Sequence, residues 1–312
     1  MVAMNQASSK NNKNIEVIGI DHGWSQMKTK NFCFNTSIKA LQNVPAFADN
    51  ILQYDNRYFA IGDERLEVLK SKVENENFYL LTLVAMAKEM KCRGLKSADI
   101  SLAVGLPLTR FSAEREPFID YLSKNKNLSF SFEEDPFAAH IMNVAVFPQC
   151  YAAVAGMLQN FGKKVLVVDI GSWTIDSMLI LDKKPDSTKC DTQNEGLIRC
   201  MRSINRLAVQ VKNQKIDEAD IQEYMITGKT TLSAEYKELM DHEINEFVNK
   251  VYRYQIECGY NLDMMPVYFV GGGAIVMKNF GKHQTNFHYV LDVKENAKGF
   301  EKMARIALKS GR

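Results

Sequence analysis

One short pattern occurs twice in this chain of 312 residues and constrains its fold strongly. An apolar, strand-like segment ends near an aspartate, a glycine follows two positions later, and a second extended segment returns. The two copies read IGIDHGWSQMK and VVDIGSWTIDSM, and they place Asp21 over Asp169, 148 residues further along, and Gly23 over Gly171. A repeat at this offset predicts a duplicated fold with two lobes.

The rest of the pattern predicts α/β lobes with mixed sheets, because strands alternate with helices and a hairpin opens each half. The predicted strands and hairpins lie at residues 15–34, 54–61, 100–105, 128–132, 144–147, 165–181, 266–270 and 290–292. The predicted helices lie at 78–90, 114–122, 151–160, 197–211, 217–225, 234–255 and 297–308, and a loop is predicted at 182–193.

Composition excludes several classes of protein. The chain has 39 lysines and arginines and 37 aspartates and glutamates, so its formal net charge is +2. This charge is too small for the basic surface that is typical of a nucleic-acid-binding protein. No apolar run approaches the ~20 residues that span a bilayer. The polar segment 1–14 lacks the apolar part of a secretory signal. We therefore expect a cytoplasmic chain without direct nucleic-acid or membrane contact.

Neither the cysteines nor the histidines show the spacing of a metal site. The six cysteines are scattered without a C-x-x-C pair, which indicates reduced thiols in a cytoplasm. The five histidines also lack a nucleophile signature nearby. They are interpreted as surface or loop residues, namely His22, His140, His242, His283 and His288.

Three glycine-containing turns each follow directly after a predicted buried strand. They span Asp21 to Lys28, Asp169 to Thr174 and Gly271 to Ala274. Backbone N–H groups in such turns can point at an anion, and a carboxylate and a lysine beside them supply what a magnesium-bound polyphosphate needs. The third turn opens a helix and would let a flat base or ribose approach the backbone. Any one of them alone is more simply explained as a structural turn, so the prediction rests on their combination.

In order and spacing these segments resemble the actin superfamily, and within it the ParM and StbA group of plasmid-segregation actins. The segments that carry the resemblance are DIGSWTID at 169–176, VGGGAIVM at 270–277, FPQ at 147–149 and NAKGFEKMA at 296–304. The resemblance covers about residues 15–308. It implies an actin-like, ribonuclease H-like duplicated fold with a nucleotide cleft between two lobes.

The resemblance also implies how the chain is divided. Residues 1–14 would form a flexible tail. Residues 15–163 would form lobe I, with the first phosphate loop and a connecting helix, and residues 164–295 would form lobe II, with the second phosphate loop and an adenosine loop. Residues 296–312 would form a closing helix that returns to lobe I.

Family roles carry over to the matching residues of this chain. Asp21 and Asp169 would face magnesium and, with Gln149, form the catalytic group, while Lys28 would reach the phosphates. The third turn would lie against adenine and ribose, with Gly196 nearby. The residues expected to bind the nucleotide beside Lys28 are Gly23, Trp24, Ser25, Gly171, Ser172, Trp173, Thr174, Gly196, Gly271, Gly272 and Gly273.

Several of these positions have more than one interpretation. ParM-type sequences commonly carry Glu where this chain has Gln149, whose amide can orient a water but cannot accept a proton. The alternative is that Gln149 caps the following helix. Trp24 and Trp173 occupy positions usually held by small residues, and they either shield the phosphates or pack against each other. Asp176 either supports the site or is a carboxylate on a strand face.

The resemblance implies an ATPase that binds ATP with Mg²⁺, polymerises head to tail, releases ADP, and segregates plasmid DNA through a DNA-binding adaptor protein. GTP is left open as a second nucleotide. The alternative is a small-molecule kinase of the same superfamily, although neither an additional carboxylate base nor a sugar-pocket insertion is evident. A chaperone ATPase would need a further substrate-binding domain, and a membrane-tethered assembly protein would need an amphipathic terminal helix, which KSGR is not.

Overall fold

The computed structural model describes residues 15–62, 65–69 and 71–310, so the tail predicted at 1–14 lies outside the described residues. The first half of the chain builds a nine-stranded sheet. Its strands are β1 (Glu16–His22), β2 (Gln26–Thr29), β3 (Cys33–Asn35), β4 (Lys39–Leu41), β5 (Ile51–Tyr54), β6 (Arg57–Ala60), β7 (Ser97–Leu106), β8 (Asn127–Phe132) and β9 (Asp135–Pro148). They lie in the order β3-β2-β1-β7-β9-β8-β5-β6-β4.

The second half builds a five-stranded sheet in the same manner. Its strands are β10 (Lys164–Ile170), β11 (Ile175–Leu181), β12 (Lys184–Gln193), β13 (Val267–Val270) and β14 (Phe287–Tyr289). They lie in the order β12-β11-β10-β13-β14.

Helices cover the two sheets. They are α1 (Asn77–Cys92), α2 (Leu108–Ser123), α3 (Leu197–Lys212), α4 (Glu218–Thr227), α5 (Ala234–Glu257), α6 (Ala274–Phe280) and α7 (Glu295–Lys309). One apolar core joins α1 and α2 to the first sheet, and another joins α3 to α6 to the second. Within the described ranges, no helix is both long and apolar enough to cross a membrane.

The first strand of each sheet has the same kind of neighbours, which is the structural form of the sequence repeat. Strand β1 pairs antiparallel with β2 and parallel with β7, and β10 pairs antiparallel with β11 and parallel with β13. The registers also correspond, because Asp21 lies opposite Lys28 and Asp169 lies opposite Asp176. The predicted duplicated α/β fold with mixed sheets is confirmed.

The helix predicted at 151–160 is wrong. The segment instead forms two 3₁₀ turns, Ala152–Val154 and Leu158–Asn160. Gly156, a poor helix former, separates them. The first turn is also held in place from outside, because a Cβ at Gly299 of α7 would come within 1.9 Å of the Ala152 carbonyl oxygen. Tertiary packing therefore overrides the helix propensity of the alanines.

The loop predicted at 182–193 is also wrong, because most of it is strand β12. Asp182 and Lys183 both have positive φ, which is the geometry of a tight hairpin turn. The ladder with β11 runs from Lys184 opposite Leu181 to Gln193 opposite Ile175. The strand lies at the edge of its sheet and is largely polar, so it lacks the apolar alternation by which strands are recognised.

Other predicted bounds are shifted. The strand predicted at 144–147 begins already at Asp135, because positive φ at Glu133 and Glu134 forms a two-residue turn from β8. The helix predicted at 114–122 begins at Leu108, directly after Pro107. The extended segment of the first hairpin breaks into β2 and β3, and the last strand, β14, precedes the predicted 290–292.

Glycines let the C-terminal helix α7 approach the first sheet closely. A Cβ at Gly19 of β1 would lie 2.1 Å from the Ala297 carbonyl oxygen. A Cβ at Gly105 of β7 would lie 2.0 Å from Cζ of Phe300, which is fully buried. Real Cβ atoms do not make contacts this short, so any larger residue at either position must push α7 away from the sheet.

We predict that Gly105→Ala lowers the free energy of unfolding by about 1–3 kcal/mol, the usual range for overpacking a core. The matched control is Gly156→Ala, because no atom lies within 4 Å of a Cβ at Gly156. Chemical denaturation followed by circular dichroism measures both. Equal stability of the two variants would contradict the close packing of α7 on β7.

Candidate functional site

The two hairpins bring their turns to one small chamber between the sheets, which we call the inner chamber. Its volume is about 110 Å³. Asp21 and Asp169 enter it at equivalent strand ends, and both side chains are almost completely buried. Two buried carboxylates near one cavity require a compensating cation or hydrogen-bond donors. The chamber is therefore a candidate site for a ligand that brings positive charge.

Asp21 is held by two neighbours from the first half of the chain. The Gln149 amide Nε2 donates to Oδ1 at 2.9 Å, and the Lys28 ammonium lies 3.4 Å from Oδ2. Burial of Lys28 opposes its charged form, but the charges of Asp21, Cys33 and Asp169 and the hydrogen bond to Asp21 together outweigh burial and raise the pKa of the ammonium. Lys28 therefore carries a positive charge at neutral pH at the wall of the chamber, and its contact with a phosphate stays a prediction.

Asp169 has a different environment. Burial and the charge of neighbouring Asp176 raise its pKa to about 7, against the hydrogen bond that Asn296 Nδ2 donates to Oδ2 at 2.7 Å. Asp176 itself accepts hydrogen bonds from the hydroxyls of Thr174 and Thr192, at 2.8 Å and 2.6 Å. Asp176 therefore lies in the chamber wall beside Asp169, and its negative charge disfavours the ionised form of Asp169.

The donor set fits a magnesium ion that is completed by its ligand. In the part of the chain that the structure describes, no group of three or more His, Cys, Asp or Glu could hold a metal alone. Magnesium commonly keeps several waters and binds one or two carboxylates together with substrate phosphates. Asp21 and Asp169 supply that pair of carboxylates. Asn296 adds a buried Oδ1 without a hydrogen-bond partner, which can accept from a bound water.

The glycines of the first two turns allow the backbone of each turn to fold closely on itself. A Cβ at Gly23 would lie 2.4 Å from the Gln26 carbonyl oxygen. The backbone amides of Gly23 and Gly171 already donate hydrogen bonds within their own turns. Their acceptors are the backbone carbonyl oxygens of Asp21 at 3.1 Å and of Thr174 at 2.9 Å. These two glycines therefore shape the turns, and their contact with a phosphate stays a prediction, as does that of Ser172 and Thr174, which line the chamber.

A second space, the outer cavity, adjoins the inner chamber and has a volume of about 440 Å³. The residues that line both are Gly23, Lys28, Gly171, Ser172, Gly272 and Val293. The outer cavity is more apolar, with Leu197, Met201 and Ile275 among its walls, and Ser25 at its edge. A flat apolar group in the outer cavity would place a polar tail at the shared turns.

The glycines of the third turn have different roles. Gly271 has φ +78°, and a Cβ there would lie 2.2 Å from Asp169 Oδ1, so only glycine fits. Gly272 lines both spaces and has room for a ligand. Gly273 and Gly196 do not line either space. Gly273 packs on Ile170, and Gly196 packs on the backbone of Trp173, so the placement of these two glycines beside a nucleotide stays a prediction.

Gln149 does not cap a helix, because its side chain binds Asp21 and only a 3₁₀ turn follows. The two tryptophans do not pack against each other either. Trp24 packs edge-on against Phe78, with ring centroids 5.2 Å apart. Trp173 lies under the Arg202 guanidinium, 5.1 Å from its ring centroid. Both rings line the inner chamber from opposite halves of the chain.

The interpretation of His22 as a surface or loop residue is wrong. It is fully buried in β1, and its Nε2 lies 2.9 Å from the Thr82 hydroxyl. Burial and the nearby Lys72 charge lower its pKa to about 3, so the imidazole is neutral at pH 7. Its position is explained by strand β1 continuing beyond Asp21, which turns the side chain toward α1 and α2.

Sequence reasoning missed several residues of the chamber wall that come from segments distant from the three turns. Among them are Lys72, Arg110, Thr192 and Asn296. Only Asn296 had a signal, as the first residue of the segment NAKGFEKMA. The others follow from tertiary contacts, such as the hydrogen bond at 2.6 Å between the hydroxyls of Thr109 in α2 and Thr192 in β12.

Comparisons with known proteins agree with this architecture. No curated protein sequence matches the chain significantly. Residues 19–151 match the family described as actin like proteins N terminal domain. Ta0583, an archaeal actin homologue, in its complex with ADP has a TM-score of 0.74 at 17% identity, over 93% of this chain and 99% of that chain.

Two bacterial-type relatives are similar over the same length. The Alp12 filament structure has a TM-score of 0.69 at 16% identity, over 94% of this chain and 98% of that chain. Bacillus thuringiensis ParM with ATP has a TM-score of 0.67 at 13% identity, over 96% of this chain and 100% of that chain. The chain therefore has the actin-like fold, and its residues 19–151 are similar to the N-terminal domain of the actin-like proteins.

Proposed function

We propose that this chain is an ATPase that binds ATP with Mg²⁺ between its two halves and polymerises into filaments. The observation that carries the proposal is the pair of buried carboxylates, Asp21 and Asp169, at equivalent strand ends across one chamber. Structures of relatives include one with ATP, one with ADP and one filament. Those properties support the same use of this chamber here.

The nucleotide would extend through both the outer cavity and the inner chamber. The base and ribose would occupy the apolar outer cavity, and the phosphates would lie along the turns at Gly23 and Gly171 that line both spaces. Lys28 would offset phosphate charge. Asp21 and Asp169 would hold Mg²⁺, which supplies charge neutralisation for the phosphates when it is bound. GTP remains an alternative nucleotide.

Gln149 would orient the attacking water in hydrolysis to ADP. Its Nε2 is committed to Asp21, which leaves Oε1 as the acceptor for a water. An amide cannot remove a proton at pH 7, so its contribution would be positioning rather than general base catalysis. We therefore expect slow hydrolysis, which suits a filament that must persist before it disassembles.

Nucleotide contacts from both halves of the chain would couple ligand binding to assembly. A ligand that touches the turns of both sheets favours one relative position of them. Monomers in that position would add head to tail through a heterologous contact, which does not close and so builds a filament. We propose plasmid segregation as the biological use, through a DNA-binding adaptor protein, because the formal charge of +2 does not favour direct DNA binding.

We predict that ATP with Mg²⁺ produces sedimentable filaments at tens of micromolar chain, about 10-fold above a micromolar contact affinity. Pelleting and negative-stain imaging with ATP, ADP and no nucleotide test this. A chain that binds ATP but stays monomeric under all conditions would contradict polymerisation and favour a small-molecule kinase.

We predict that Asp169→Asn weakens Mg²⁺-dependent ATP binding by about 10- to 100-fold, the range for removing groups that support a bound metal. The fold should persist. The raised pKa of Asp169 means that its ionisation destabilises the folded state as pH rises from about 4 towards 7, and the amide removes this penalty. At pH 8, the free energy of unfolding of Asp169→Asn should therefore equal or exceed that of the parent chain.

Calorimetric titration of ATP with and without Mg²⁺ measures this effect. Asp182→Asn is the matched control, because Asp182 is exposed in the β11–β12 turn with positive φ, which Asn adopts readily. Retention of the full magnesium effect in Asp169→Asn would remove Asp169 from the metal site.

We predict that Gln149→Ala slows ATP hydrolysis by about 10- to 1000-fold while ATP affinity and assembly persist, because only a positioning group is lost. Filaments should then last longer. Phosphate release measured together with pelleting tests this, with Gln159→Ala as the control at an exposed glutamine in the nearby 3₁₀ turn. If the rate of hydrolysis is unchanged, another group must orient the water.

A further inference from the structure

The charges of the inner chamber do not match a triphosphate if only the predicted residues are counted. Three buried carboxylates, Asp21, Asp169 and Asp176, face it. The predicted lysine, Lys28, is already paired with Asp21 at 3.4 Å. Even with one Mg²⁺ bound, a terminal phosphate next to these acids would be repelled unless a further cation is present.

Lys72 is such a cation. It lies between β6 and α1, five residues before the first residue of that helix, and it lines the inner chamber. Its ammonium is 6.0 Å from the centre of the Phe78 ring. Its charge reaches the chamber residues, because it acts on the ionisation of His22 and of Asp176.

Within the part of the chain that the structure describes, Lys72 has no direct counter-ion: no carboxylate lies within ion-pair distance of its ammonium, and no hydrogen bond to it is formed. Burial lowers its pKa to about 8, although Asp21 and Glu114 act in the opposite direction. A buried cation without a counter-ion is unfavourable. An anionic ligand would remove this penalty, which is the expected property of a binding residue.

The position of Lys72 indicates which part of a ligand it meets. Lys28 lines both the inner chamber and the outer cavity, whereas Lys72 lines only the inner chamber. A nucleotide with its base in the outer cavity passes Lys28 first. Only the end of the phosphate chain would extend to Lys72. Arg110, which lines the same region, is engaged with Glu114 of its own helix.

We propose that Lys72 contacts the terminal phosphate of a nucleoside triphosphate and gives the chamber its preference for triphosphate over diphosphate. The proposal rests on the proposed function, since it assumes that the nucleotide binds in the outer cavity. It differs from the role of Lys28, which would act on triphosphate and diphosphate alike.

The test is the ratio of ADP to ATP dissociation constants, measured by calorimetry with Mg²⁺ and a non-hydrolysable ATP analogue. In Lys72→Met, which keeps the length of the side chain, the analogue should bind about 10- to 100-fold more weakly, the scale of one charge-assisted hydrogen bond. ADP binding should change by less than about 3-fold. Lys72→Arg, which keeps the charge, should retain most of the preference.

Lys88→Met is the matched control. Lys88 also lies over an aromatic ring, 4.9 Å from the centre of Phe132, but it does not line the chamber. Its substitution should leave both affinities unchanged. Thermal unfolding of each variant shows whether it is folded, so that a loss of binding can be distinguished from a loss of structure. Lys72→Gln serves as a second neutral substitution.

Equal weakening of ATP analogue and ADP in a folded Lys72 variant would overturn the proposal, and so would an unchanged ratio. If neither nucleotide binds to the parent chain, the proposed function itself has failed. That outcome is distinct, because it appears before any substitution is made.

Discussion

The position of helix α7 is the constraint on which the geometry of the site depends. Gly19 and Gly105 let the helix lie directly on β1 and β7, and Arg93 at the end of α1 binds Glu301 of the helix at 3.0 Å. The first turn of the same helix carries Asn296, whose hydrogen bond reaches Asp169 of the second sheet. One rigid element thus sets the distance between the strand ends of the two sheets. Any displacement of α7 would separate the carboxylates that form the chamber.

The two halves share a hairpin but differ in the charge placed beside each carboxylate. Asp21 has Lys28 opposite it in register, and Asp169 has Asp176 at the same place. The first half therefore supplies a cation and the second an excess of negative charge, and burial together with this charge raises the pKa of Asp169. A ligand that combines phosphate with a divalent cation matches this asymmetry, because the anion finds Lys28 and the cation finds the acidic side. Duplication alone would have produced a symmetric site.

The residues of the two hairpins could be predicted from sequence because their roles are local: a strand ends, an aspartate enters the cleft, and a glycine allows the turn. Lys72 and Asn296 could not be predicted in the same way, because contacts between distant segments place them at the chamber. The same distinction explains the failed predictions. The turns at 151–160 depend on Gly299, and β12 depends on its ladder with β11, so neither can be recognised from local propensity.

The side-chain amide of Gln149 holds the carboxylate of Asp21 in position. Gln149 donates a hydrogen bond to Asp21 Oδ1, and a carboxylate cannot donate. A glutamate there, which the resemblance to the ParM group leads one to expect, would place two negative charges within hydrogen-bond distance unless one took up a proton. The glutamine therefore gives Asp21 a hydrogen-bond donor where a glutamate would place a second negative charge, and in exchange the site lacks a base at that position.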